Sequence, residues 1–168
     1  VSSVVAVNGA DQPVVFNEAS PFTLDDPRLR YAYAKREAES LCGRAMDLGA
    51  AVVIVNPAEV YGPADTSLVT AGNLVQFARS NPVLVCLGGT SVAHVDDVAT
   101  GIVAALTRGR PGERYILGGE NLTLRQLAEL CLELAGLRRT IVTLPNRIVR
   151  LVTGVATGLR LPLPYDAS

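Results

Sequence analysis

Tyr31-Ala32-Tyr33-Ala34-Lys35-Arg36-Glu37-Ala38-Glu39 is the stretch on which the reading of this chain turns. It predicts part of a helix running from about Arg28 to Leu48, where Gly49 stops it. Four residues apart on such a helix, Tyr31 and Lys35 share one face. A phenol ordinarily gives up its proton near pH ~10, but a fixed positive charge nearby favours the phenolate and suits it to acid/base work. By spacing alone the plainer reading has the advantage: a tyrosine packed on the core and a lysine snorkelling to water, since any helix throws up such pairs.

The elements on either side alternate. Upstream, Val4 to Val7 is β-branched and apolar enough for a buried strand, and Gly9 to Pro27 is a long loop rich in turn residues. Downstream, Ala51 to Val55 is a second buried strand without alternation, as in a parallel sheet covered on both faces, and Asn56-Pro57 ends it. Tyr61-Gly62-Pro63 reads as a turn, Ser67 to Arg79 as helix and Val83 to Leu87 as extended. Asp96 and Asp97 are placed to cap a helix through Ala105, and His94 reads as a packed strand residue. Arg114 to Leu117 is a short strand, and Thr123 is a good N-cap for Leu124 to Ala135 with an apolar stripe of Leu124, Leu127, Ala128, Cys131 and Leu134. Ile141 to Leu144 is extended and a last helix follows Pro145. Within it, Ile148 to Leu163 is interrupted by Arg150 and Arg160, which makes it an amphipathic packed helix rather than a membrane span.

Strands alternating with helices imply an open α/β sheet, in which ligands sit beyond the carboxyl ends of strands. Two such exits, after Val7 and at Asn56, bracket the helix that carries Tyr31 and Lys35.

Composition narrows the function. The 168 residues are 49% apolar, enough for a real core, and read as one soluble globular chain. A formal net charge of −1 without a basic stripe argues against nucleic acid as a partner. Cys42, Cys86 and Cys131 lie far apart and there is a single histidine, so no zinc-ligand spacing exists and reduced thiols in a cytoplasmic setting fit best. No GxGxxG turn occurs among the 15 glycines. With a start that lacks Met and enters a strand at once, this leads us to expect a further N-terminal portion outside the sequence.

Five segments in order resemble the second half of an extended short-chain dehydrogenase/reductase, the NAD-dependent epimerase/dehydratase family. They are Ser2-Ser3, the loop Asn17-Glu18-Ala19-Ser20-Pro21, the Tyr31 to Lys35 helix with Glu37-Ala38-Glu39, Asn56-Pro57-Ala58-Glu59-Val60-Tyr61-Gly62-Pro63, and His94-Val95-Asp96-Asp97-Val98-Ala99. Tyr-x-x-x-Lys alone is a weak signal, whereas five motifs in family order are a strong one. The tail Gly118-Gly119-Glu120-Asn121-Leu122-Thr123-Leu124 resembles the dihydroflavonol-reductase-like branch.

The resemblance implies a fold and a site. The fold is the C-terminal half of a Rossmann-type parallel sheet, residues 1–60 and 94–119, with a small α/β substrate-binding lobe over 61–93 and 120–168; the glycine-rich nucleotide-binding half is absent. Tyr31 would be the general acid/base, Lys35 would hold the nicotinamide ribose, and Ser3, with Ser2 as fallback, would hydrogen-bond the substrate oxygen. Pro57 would border the nicotinamide of NAD or NADP, although on physical grounds it is equally a strand terminator. Tyr33 points to another helix face and reads as packing. Nucleotide-sugar enzymes of the family often carry Arg-Pro-x-Asn where this chain has Asn56-Pro57-Ala58-Glu59; a carboxylate at Glu59 repels a diphosphate if it faces the site, which favours a carbonyl or alcohol substrate of apolar character. Family members commonly pair through helices that include this one, so Arg36, Glu37 and Ser40 are candidates to face a partner in a homodimer. The activity the resemblance implies is that of an NAD(P)-dependent oxidoreductase or epimerase working by Tyr-assisted hydride transfer on a carbonyl or alcohol small molecule, a sugar-derived one included; the alternative is a truncated, non-catalytic α/β module used for binding or assembly.

Overall fold

Helix α1 (Arg30–Asp47) forms where the sequence requires it, and Gly49 ends it at φ +93°. The Gly49 amide donates to Met46 at 2.8 Å and the Ala50 amide to Ala45 at 3.0 Å, the paired bonds of a Schellman cap. This is a computed structural model describing residues 1–10 and 14–149. After α1 come β1 (Ile54–Pro57), β2 (Glu59–Tyr61), α2 (Gly72–Arg79), β3 (Val83–Cys86), β4 (Gly89–His94), α3 (Val95–Arg108), β5 (Arg114–Leu117), β6 (Glu120–Thr123), α4 (Leu124–Leu134) and β7 (Ile141–Leu144).

Pairing is parallel in the three ladders β1–β5, β2–β4 and β3–β7, and β6 completes a three-stranded sheet beside β4. Parallel neighbours need crossovers, here supplied by helices, so the chain is mixed α/β with parallel sheets.

The chain divides into two compact units. The first, Val1–Gly72 with Thr90–Leu122, packs α3 on β1 and β5 around Ala6, Val7, Val55 and Val98. In the second, Asn73–Gly89 with Thr123–Ser168, α4 packs on β3 and β7 through Leu127, Ala128 and Leu132, with Phe77, Val83 and Val85 also buried. Leu134, expected in the apolar stripe of α4, is exposed instead, and Leu132 lies inside.

Several local expectations are corrected. Val4–Ala6 is a turn of 3₁₀ helix rather than a strand, because the Ser3 hydroxyl accepts from the Val5 amide and Val7 closes back on Val4. Ala6 and Val7 are still buried, at 0% and 1% exposure, since burial follows hydrophobicity and not strand geometry. The extended stretch is the one before it, where the Ser2 amide donates to Val55 at 2.7 Å. Strand β1 begins at Ile54 and not Ala51, in register with β5 (Ile54 opposite Arg114, Pro57 opposite Leu117). Helix α2 begins at Gly72 and not Ser67; Ala64 and Leu68 take left-handed φ of 63° and 52°, which a helix cannot use. His94 ends β4 half exposed and is itself the N-cap of α3, its Nδ1 accepting from Asp96 at 3.3 Å, while Asp96 and Asp97 sit in the first turn against the dipole. Strands β2, β4 and β6 are additions to the sequence reading. The Ile148–Leu163 helix lies outside the described residues beyond Val149.

Candidate active site

Helix α1 displays three polar side chains on one stripe, Tyr31, Lys35 and Glu39, each four residues from the next. Tyr31 is 60% exposed, Lys35 is half-buried and Glu39 is buried. The Lys35 Nζ lies 5.7 Å from the centre of the Tyr31 ring, within cation–π range. Tyr33 turns elsewhere: its hydroxyl donates to the Leu24 carbonyl at 2.8 Å and its ring meets Phe22 edge-on at 5.8 Å. Of the two tyrosines, Tyr33 is thus committed to packing.

The Ser3 turn packs on α1 and on β1, which ends in Pro57. The elements bearing Ser3, Tyr31 with Lys35, and Pro57 are therefore neighbours in one unit. Ser3 Oγ accepts a long 3.5 Å bond from Val5, which leaves its proton free to donate. Ser2 Oγ is buried without a partner. Pro57 has no amide to give, and the Leu117 carbonyl opposite takes the Ala58 amide at 3.0 Å.

The sequence reading gave no role to the polar cluster beneath this face. Glu39 Oε2 pairs with Arg114 Nη2 at 2.5 Å and with Arg36 Nη1 at 3.6 Å, while Glu39 Oε1 accepts from Asn56 Nδ2 at 2.7 Å. Asn56 Nδ2 also donates to the Ser3 carbonyl at 2.8 Å. The available signal was the period: a glutamate four residues past Lys35 falls on the same helix face, and it needs partners if that face is covered. Glu18, from the acidic-proline loop, has a structural use as well, its Oε1 accepting the Ile116 amide of β5 at 3.0 Å. The loop that carries it is held by Asn8, which donates to Pro21 at 2.6 Å and to Thr23 at 3.1 Å.

A cleft of about 900 Å³ opens along α1, lined by Arg36, Glu37, Glu39 and Ser40 together with Ile54 and Arg114. None of Ser3, Tyr31, Lys35 or Pro57 lines it. Among the described residues, no cluster of His, Cys, Asp and Glu could hold a metal ion, and no helix is long and apolar enough to cross a membrane.

Among the described residues, neither the Tyr31 hydroxyl nor the Lys35 ammonium has a hydrogen bond or ion-pair partner. Unspent donors side by side on an accessible helix face suit a ligand that carries hydroxyls, as the ribose of a nicotinamide nucleotide does.

Comparison with known proteins gives the family. The model of the NAD dependent epimerase/dehydratase family matches residues 1–118. The chain is 30% identical over 137 residues to a 4-hydroxy-2-methyl-3-oxo-4-farnesyl-3,4-dihydroquinoline-1-oxide ketoreductase of Stigmatella aurantiaca, covering 79% of this chain and 40% of that protein. It is 32% identical over 120 residues to a candidate dihydroflavonol 4-reductase of Synechocystis, covering 68% of this chain and 35% of that protein. A nucleoside-diphosphate-sugar epimerase from Pseudomonas aeruginosa superposes with a TM-score of 0.79 at 24% identity, over 93% of this chain and 52% of the other. Matching folds have been solved with NAD or with NADPH bound. The chain spans well under half the length of the curated relatives it matches. On these matches, and on a parallel α/β fold that presents Tyr-x-x-x-Lys on an accessible helix, the chain belongs to the NAD-dependent epimerase/dehydratase family.

Proposed function

We propose that these residues are the catalytic and substrate-binding part of an NAD(P)-dependent oxidoreductase or epimerase acting on a carbonyl or alcohol carbon. The observation that carries this reading is the exposed Tyr31 with Lys35 Nζ 5.7 Å from its ring, on a helix packed against the Ser3 turn. The bound nicotinamide supplies a hydride acceptor or donor. Tyr31 gives a proton to the substrate oxygen in reduction, or takes it in oxidation. Ser3 donates a second hydrogen bond to that oxygen; burial of Ser2 Oγ supports Ser3 over Ser2 in this role. Lys35 keeps a positive charge beside the phenol ring and would hold the ribose hydroxyls, and Pro57, at the end of β1, would border the nicotinamide.

Charge developing on a carbonyl oxygen is met by one group that transfers a proton and another that only stabilises, and the two effects multiply. Replacing Tyr31 with Phe removes the first alone. Tyr31→Phe in the enzyme is expected to lower kcat by about 100-fold or more while NAD(P)H affinity stays near wild type; retained turnover overturns the assignment.

The substrate is taken to be a carbonyl or alcohol of apolar character. Both curated relatives described above carry reductase names, and the one from Stigmatella acts, by its name, on a farnesyl-bearing ketone. Glu59, two residues past Pro57, carries a carboxylate whose Oε1 accepts the Tyr61 hydroxyl at 2.8 Å, and a carboxylate facing the site would disfavour a diphosphate. The unit Asn73–Gly89 with Thr123–Ser168 serves as the substrate lobe in this reading.

A further inference from the structure

We propose that Asn56 is a positioning residue, its buried amide setting the Tyr31–Lys35 helix against the Ser3 turn and against Pro57. The inference rests on the catalytic reading above and goes beyond it by naming what holds the parts in place.

Asn56 is fully buried, with 0% of its surface exposed. A buried amide is costly unless its donors are used, and both are: Nδ2 reaches the Ser3 carbonyl at 2.8 Å and Glu39 Oε1 at 2.7 Å. Its orientation is dictated by chemistry, because both partners are acceptors and a flipped amide would set Oδ1 against two oxygens. Oδ1 itself is buried without a partner, so the fold tolerates an unsatisfied carbonyl to keep the two donor bonds.

Glu39 cannot drift to accommodate a misplaced helix. Its second oxygen is gripped by Arg114 on β5, with Arg36 of α1 at 3.6 Å, and β5 is itself in register with β1, where Asn56 faces Ile116. The carboxylate is thus fixed from the sheet and the amide reads its position. Tyr31, Lys35 and Glu39 share one stripe, so a rotation or slide of α1 that moved the first two would carry Glu39 off Asn56. Asn56 also precedes Pro57 directly, so one side chain touches or adjoins every segment that supplies a candidate site residue. Displacements of about 1 Å between reacting groups cost about 100-fold in rate, which is the scale on which such a clamp matters.

The test uses Asn56→Leu, which keeps the branched shape at somewhat greater bulk and removes both donors, and Asn56→Ser, which is smaller and keeps one hydroxyl donor. Val98→Ala, a buried position on α3 outside the site, is the stability control. At temperatures where all variants are folded by circular dichroism, kcat is expected to fall about 10- to 100-fold in Asn56→Leu and less in Asn56→Ser. The KM for NAD(P)H should rise as well, because the same displacement moves Lys35, whereas Val98→Ala should keep both kcat and KM despite a lower melting temperature. Retained kcat in both Asn56 variants, or a loss no greater than in Val98→Ala, overturns the proposal. A readout independent of turnover is the ring resonance of Tyr31 in ¹³C-tyrosine-labelled protein, assigned with Tyr31→Phe: it should move in both Asn56 variants while that of Tyr61 stays. If the wild-type protein transfers no hydride, the catalytic reading fails, and an unmoved Tyr31 resonance then overturns the positioning role separately.

Discussion

Asp65 Oδ2 takes the amides of Ala71 at 2.9 Å and Thr70 at 3.3 Å, closing the turns that precede α2. The Ala71 bond above all holds this carboxyl below the usual carboxylate range; slight desolvation opposes the shift and the Thr70 amide adds to it. A folded pKa depressed in this way means the contribution is complete above the ordinary carboxylate range and lost as pH falls through the folded value. The Ala71 amide proton shift should therefore titrate with a midpoint below that of an unstructured aspartate, and Asp65→Asn should abolish the titration; a midpoint at the ordinary value or above contradicts the capping role. Cys131 shows the opposite case, its thiol pushed up by burial while Sγ donates to the Leu74 carbonyl at 3.5 Å, which makes it a poor nucleophile. At this scale the sequence was most legible for Tyr31, Lys35 and Tyr33, because helical spacing alone separates their faces. It was least legible for Asn56, whose bonds run to residues 17 and 53 positions away.

Elements bounded by their own chemistry were read well, and Gly49 explains why. A Schellman cap needs a residue at positive φ, and a Cβ at Gly49 would meet nothing within 4 Å, so its requirement is purely conformational. Gly49→Ala should destabilise the fold by about 1 kcal/mol, read as a lower urea midpoint with unchanged slope. No loss would mean that the cap contributes nothing. The same logic holds at Thr123, which closes a capping box with Gln126: the Gln126 amide donates to Thr123 Oγ1 at 3.1 Å and the Thr123 amide to Gln126 Oε1 at 2.9 Å. Elements without such local punctuation were misplaced. Val4–Ala6 satisfies strand composition yet coils, because a serine cap at Ser3 competes for its amides. Strand β2, three residues long, is visible only through its partner β4, Glu59 opposite Val92 and Tyr61 opposite His94.

For the molecule as a whole, the outer face of α1 sets the expectation about assembly. Leu41 and Leu48 are exposed there at 53% and 90%, beside Glu37, Ser40 and Arg44, and the 900 Å³ cleft opens next to Arg36, Glu37 and Ser40. Two exposed leucines on one helix face suit a second copy of the same helix. Sedimentation equilibrium at micromolar concentration should give a dimer for the wild type and a monomer for Leu41→Glu; a wild-type monomer overturns this expectation.

The sequence by itself determined the helix carrying Tyr31 and Lys35, its stop at Gly49, the strands at Arg114–Leu117 and Ile141–Leu144, and the order of motifs that marks the family. Each depends on neighbours within a few residues, so spacing and caps suffice. Only the tertiary structure decided that Glu39 is buried between Arg114 and Asn56, that Ser3 heads a 3₁₀ turn, and that His94 rather than an aspartate caps α3. Buried polar groups must find partners wherever the fold brings them, and for Glu39 those partners lie on strands 17 and 75 residues away along the chain.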